Sequence, residues 1–421
     1  FQAKNNFDRT ETLGTVLLGV SLTCARCHTH KYDPIPQTEY YRLLAFFNST
    51  AEPAMDGNKY EFGPVLKVPR DQAAWNLHHQ LASEREQLIN RALQAIGTSV
   101  TLSGEAQQQW DSSAAIARLV IIADPQGPFA ASPLHAAGRE LTARIAAAEQ
   151  DFTTTLVAQD LPQPRVTHVL RRGEYDQPIG ESLEPGVLDV MGGFPAGAPR
   201  NRLGLAQWLT SREHPLVARV LVNRIWQRVF GYGLVRTPED FGVQGQQPTH
   251  PELLDWLAVE LQDSGWDLKH MLRLMIHSRT FQQSSAWRQD VPDPENRLLA
   301  RASGYRLDAE VLRDIGLWTS GLLDPHMGGE GVKPYQPAGM WLAMAHPASN
   351  TKQYERDTGR RLYRRSLYVY WKRTSPHPMM TLFDAPDRES SCVRRSRTST
   401  SLQSLGLLNE TQRIEMTRTL A

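Results

Sequence analysis

The stretch Cys24-Ala25-Arg26-Cys27-His28 limits the folds open to this chain more than any other. Two thiols three positions apart, followed at once by an imidazole, make the C-x-x-C-H pattern at which a c-type haem is attached. The thiols can add to the two vinyl groups of one haem, and His28 can bind the iron from one side. A chain that uses the motif this way has to leave an apolar cleft beside Cys24 and Cys27. A tightly packed core there points instead to a structural or metal-binding role. Two rival readings stay open on the residues alone. His30 lies two positions further on, so Cys24, Cys27, His28 and His30 can be drawn as ligands of zinc or another transition metal, although zinc sites usually pair two separated knuckles. Cys-x-x-Cys also cycles through a disulfide in redox proteins, but the flanks here lack a thioredoxin-like unit. For a haem, His30 is too near His28 to reach the opposite face of the iron. Met55, Met191, His78 and His79 are the candidates for the sixth position.

Cysteine usage argues against a disulfide scaffold, since 421 residues contain only three cysteines. The third, Cys392, is expected to be a small buried hydrophobe. Charge argues against nucleic acid as a partner: 46 basic residues face 45 acidic ones, which leaves no steering field and little non-specific pull. The apolar run 13–22 is far shorter than the roughly 20 residues of a membrane span. Phe1 is not preceded by a charged leader or an initiator Met, which reads as a fragment or a processed form.

Hydrophobic periodicity predicts a mainly α, multi-domain protein with minor β. Residues 37–48 place Tyr40, Leu43, Leu44 and Phe47 on one helical face. Residues 72–96 and 135–152 are rich in helix formers and suggest a helical-hairpin arm, with the run 119–122 between them as a short strand. A strand is expected over 167–171, followed by a Gly- and Pro-rich stretch to 199. Residues 217–230 are apolar nearly all round, which marks a central helix, ended by Gly231. Pro251 opens a helix that Gly265 ends, and Asp267 caps the next. Further helices are expected over 308–317 and 402–408, and a strand over 366–371. The expected segments are 1–70 around the cysteines, 71–160 as the arm, 161–200 as strand and linker, and 201–421 as a helical domain.

Arginine supplies the second chemical signal. Arg360, Arg361, Arg364 and Arg365 form one cluster, and Arg394, Arg395 and Arg397 another, beside Ser396, Thr398 and Ser399. Guanidinium groups grip carboxylate, sulfate and phosphate bidentately, so Arg394, Arg395 and Arg397 are candidate anion ligands. The competing reading pairs the arginines with Asp357, Asp384, Asp387 and Glu389. Glu239, Asp240, His250, Glu252 and Asp255 could contain an acid–base pair, but helix caps and solvated faces account for them more simply. No phosphate-binding loop, nucleophile elbow or zinc-protease motif is present.

Several runs together resemble a known protein group. Residues 17–35, through Cys24, Cys27, His28, His30, Asp33 and Pro34, and the continuation Tyr40 to Asn48 resemble the cytochrome-c-like domain of large planctomycete-type secreted proteins. Residues 223–226, 233–242, 248–257, 365–368, 376–378, 383–386, 392–398 and 402–409 resemble the planctomycete-specific domain of unknown function that follows it. The resemblance implies an N-terminally truncated member and an extracytoplasmic location, because c-type haem is attached outside the cytoplasm. It implies haem c on Cys24, Cys27 and His28, and electron transfer with a redox partner protein in an extracytoplasmic oxidation. It carries no activity for the second domain. The alternative expectation is a module that binds or processes anionic polysaccharide, with the cysteine motif structural or holding a non-haem metal through His30.

Overall fold

The computed structural model describes residues 1–53, 63–347, 349 and 351–421. As the periodicity predicts, the protein is mainly helical, and its strands make two short antiparallel ribbons among the described residues. The chain divides into two compact units: residues 49–164 with Phe1, and residues 2–48 with 165–421. This division differs from the four segments expected. Residues 2–48 and 165–200 do not stand apart from the C-terminal part but belong to one unit with it.

The smaller unit contains the helices Gln72–Ala95, Gly104–Ser112, Ala115–Ala123 and Pro133–Glu149, and the ribbon Val65–Val68 with Thr153–Leu156. Asp71 starts the long helix by accepting from Ala74 N at 2.9 Å. Arg144 forks onto Glu84 at 2.6 and 3.1 Å and ties the two longest helices together. The run 119–122, expected as a strand, is helical. Leu119 and Ile122, three apart, turn into a core with Leu81, Leu88, Trp110 and Phe129, while Ile116 and Val120 face solvent. That is a helical period in a stretch too short to distinguish from a strand by hydrophobicity alone.

In the larger unit, Gln2–Leu13 packs against Gln37–Asn48, and Asn6 donates to Asn48 at 2.9 Å. Their core joins Leu18, Leu22, Ile35, Tyr40 and Tyr41 to Val187, Leu188, Leu205 and Trp208. The ribbon Thr167–Leu170 with Pro178–Leu183 lies against Gln37–Asn48. Val217–Phe230 forms as its pattern requires and ends at Gly231. It shares a second core with Pro251–Asp263 and Leu268–Ile276, built from Trp226, Phe230, Leu254, Leu257, Leu261, Met271 and Met275. Asp267 caps its helix by accepting from Lys269 N and His270 N. Beyond these come Ala309–Thr319, Ser401–Asn409 and Thr411–Leu420. Residues 366–371, expected as a strand, form a 3₁₀ turn, Ser366–Tyr368, with a single bridge between Val332 and Val369. Among the described residues Val332 is the one backbone partner from outside the turn, bonding to Tyr368 and Tyr370, so no ladder propagates. No helix among the described residues is long and apolar enough to cross a membrane.

Candidate functional site

The cysteine motif lies on a 3₁₀ turn, Thr23–Arg26, where Cys27 N and His28 N both reach the Cys24 carbonyl at 3.2 and 3.4 Å. The inner side of the turn is a packed core. Ala25 is fully buried, with Leu22, Ile35 and Tyr41 in the same core. Tyr41 Oη and Gln37 Nε2 donate to the Arg26 carbonyl at 2.8 and 3.0 Å and fix the turn from below. The thiols open the other way: Cys24 is exposed and Cys27 half-buried. Gly173 passes close by, where a Cβ would come within 3.2 Å of Cys27 Sγ, and its φ of +76° is one that favours glycine. Arg26 lies 5.0 Å over the Phe7 ring and 3.3 Å from Glu11.

His28 is exposed, and its Nδ1 is 2.7 Å from the Thr29 carbonyl. A carbonyl only accepts, so Nδ1 carries the proton, and a neutral ring keeps its lone pair on Nε2. This is the tautomer in which imidazole binds a metal through Nε2. His30 is arranged differently. Its side chain is only 6% exposed and sits 3.5 Å from an Asp33 carboxylate oxygen. Its Nδ1 accepts from Asp33 N at 2.9 Å and Tyr32 N at 3.4 Å. The shorter contact to an N–H donor makes Nδ1 an acceptor within the loop. Asp33 is buried and accepts from Val243 N at 2.8 Å. A Cβ on Gly242 would fall 2.5 Å from Asp33 Oδ1. His30 and Asp33 thus hold loop 28–35 in place. Among the described residues no group of three or more His, Cys, Asp or Glu side chains is placed to hold a metal ion.

The thiols and the His28 tautomer fit the donor chemistry of an attached haem, whereas the apolar cleft expected beside them is not found on the inner side of the turn. Met191 is buried in the core, His78 and His79 belong to the other unit and pack around Trp75, and Met55 lies outside the described residues.

Two family models match the chain. One, PSD1, described as a protein of unknown function (DUF1553), matches residues 201–421. The chain belongs to the PSD1 family. The other, PSCyt2, also a protein of unknown function (DUF1549), matches residues 1–52 and so contains the cysteine turn. The resemblance noted in the sequence therefore holds at the level of these two planctomycete-type domains of unknown function. No curated protein and no solved structure matches the chain.

The arginine clusters of the PSD1 region are engaged with the protein's own acceptors. Arg395 forks onto Glu310 at 2.6 and 3.1 Å and lies 3.5 Å from Asp308. Arg394 pairs with Glu239 at 3.2 Å. Arg397 donates to the Gly231 carbonyl at 3.0 Å and lies 4.5 Å over the Tyr305 ring. Arg364 is buried and donates to the Glu330 and His326 carbonyls at 3.1 and 3.2 Å. Arg361 pairs with Asp357 and Arg360 with Asp324. Asp384 accepts from Thr398 and Arg306. The carboxylates near 240–255 cap and pair as expected: Asp240 accepts from Gly242 N, and Asp255 pairs with Arg219. Cys392, expected to be buried, is exposed. Its segment, 391–399, is extended chain and bends with no helix to turn the thiol inward.

Proposed function

We propose that the protein is an exported c-type haem protein that transfers electrons to or from a redox partner. Cys24 and Cys27 are the thioether positions, and His28 Nε2 is the axial ligand. One observation carries this reading: the Thr29 carbonyl fixes the His28 tautomer directly after a turn that exposes Cys24 and leaves Cys27 half-buried. A bound haem would supply one-electron chemistry at this edge of the protein. The chain's own residues do the holding. Thr29 orients the imidazole, Gln37 and Tyr41 brace the turn, and His30 with Asp33 keep the following loop fixed. The core behind the turn is filled, which counts toward the structural reading of the motif, so a haem would have to be held on the turn's outer side. Attachment outside the cytoplasm then gives the extracytoplasmic location.

The reading is tested by producing the protein in a host that attaches haem during export. Covalent haem should survive acid–acetone extraction at about one per chain, and C24A/C27A should lose it. H28A should keep the covalent haem but show an altered axial-ligand spectrum. Export-matured wild-type protein without covalent haem would overturn the reading. A Cys24–Cys27 disulfide in that same material would reassign the motif to thiol redox chemistry.

A further inference from the structure

A cavity of about 510 Å³ opens in the PSD1 region beside the end of Val217–Phe230 and shares no residue with the cysteine turn. Its volume lies within the range of small-ligand sites, about 300–1,000 Å³. The core residues Trp226 and Phe230, stacked with ring centroids 4.0 Å apart, back the cavity, and the exposed ring of Tyr232 lines it. The lining also brings three arginines, Arg236, Arg297 and Arg301, against one carboxylate, Glu295. Thr249, Ser285 and Ser303 add hydroxyl groups.

The wall formed by loop 293–303 is tightly organised. Asp293 is 4% exposed and accepts from Arg297 N at 2.6 Å and Leu298 N at 2.8 Å. Arg301 donates to the Asp293 and Pro294 carbonyls at 2.8 and 3.0 Å. Asn296 donates to the Arg301 carbonyl and accepts from Arg301 N. Inside this frame two non-glycine residues are left-handed, Asn296 at φ +52° and Leu299 at φ +58°. Such conformations persist only where the surroundings over-determine them, and they gather at ligand sites. Arg236 donates to the Glu295 carbonyl at 2.8 Å and lies 4.9 Å over the Tyr232 ring, so it is held from both sides. Arg297 is the least committed of the three. Its side chain is 45% exposed, and its ion pair, to Glu295, is 4.0 Å long.

We infer that this cavity binds a sugar that carries a carboxylate or sulfate group. The Arg297 fork takes the anion bidentately. The exposed Tyr232 ring takes the C–H face of the sugar, and Thr249, Ser285 and Ser303 take its hydroxyls. An inorganic ion alone leaves most of the volume and the exposed Tyr232 ring unused. The site stands independently of the cysteine turn and binds alike with or without haem there.

Isothermal titration of the full chain with glucuronate, glucose 6-sulfate, glucose and inorganic sulfate tests the inference. At least one acidic sugar should bind tenfold or more tighter than both glucose and sulfate. The preferred acidic sugar tells carboxylate from sulfate recognition. R297A should weaken it at least tenfold with an unchanged melting temperature, and R297K should recover part of the loss. No acidic sugar binding, sulfate binding as tightly as the sugars, or R297A binding like wild type would each overturn the inference.

Discussion

Two loops of this protein are each organised by one buried aspartate, and they differ in what that aspartate reaches. Asp293 closes its own loop, accepting from backbone donors four and five residues on. Asp33 reaches Val243 N, 210 residues further along the chain. The first arrangement can form wherever its loop folds. The second exists only when the PSCyt2 stretch and the PSD1 stretch have come together, and Phe241 N reinforces it by donating to the Gly19 carbonyl at 2.6 Å. The loop after the cysteine motif is therefore a joint between residues of two family regions, whereas the aspartate of the cavity wall finds its donors within its own loop. This also accounts for a motif longer than haem attachment requires. His30 and Asp33 serve the joint, while Cys24 and His28 are exposed and Cys27 is half-buried.

The largest effect should come from the loop around Asp293. D293A leaves Arg297 N and Leu298 N without an acceptor, in a place where a lost partner costs the desolvation of each donor. We expect a loss of about 3 kcal/mol in denaturant unfolding, together with loss of acidic-sugar binding. A loss below about 1 kcal/mol would mean that the loop does not depend on its aspartate. The joint should show a smaller effect, about 2 kcal/mol for D33A, because one backbone donor and the His30 contact are involved. Its distinctive sign is coupling. G242A drives a methyl group against the Asp33 carboxylate, so its cost should fall once Asp33 is also alanine. Costs that simply add in D33A/G242A would separate the two residues and break the picture of a joint.

Local structure was readable where periodicity and caps agree, as in Gln37–Asn48, Val217–Phe230 and the Asp267-capped Leu268–Ile276. It was not readable at 119–122 or 366–371, where short apolar runs suit either state and tertiary neighbours decide. The candidate site divides the same way. Cys24, Cys27 and His28 are contiguous, so their grouping on one turn was legible. The task of Asp33 was not, because its partner is 210 residues away. The arginine clusters stood out by composition, yet Arg394 and Arg395 find Glu239 and Glu310 rather than the acids near them in sequence. Arg297 and Arg301 are four residues apart, but Arg236 lies 61 residues before Arg297, and no pattern in the sequence groups it with them. The one local hint was the turn-forming run from Pro292 to Asn296.

Acidification should separate the two loops through the groups that support them, with the smallest effect at the helix on which the joint rests. Val217–Phe230 packs against the Gly14–Leu18 turn, and its start is capped by His214, whose Nδ1 accepts from Leu216 N and Val217 N at 3.2 and 3.3 Å. Burial pushes the His214 imidazole down to about 4. The unfolded chain binds a proton there from about pH 6.5 downward, so the folded state loses stability as the pH falls from about 6.5 to 4. Asp293 works at the other end of the scale. Burial would raise its carboxyl, but the backbone donors and Arg301 outweigh burial and hold it below the ordinary range. Its contribution is intact above about pH 4 and lost below. H214N keeps a capping oxygen and removes the titration, so its melting temperature should fall less between pH 6.5 and 4.5 than that of wild type. H214A should cost about 1 kcal/mol at pH 7 from the lost cap. An equal acid slope in H214N and wild type would show that the protein's acid sensitivity lies elsewhere, with buried His377, also pushed down to about 4, as the next residue to replace.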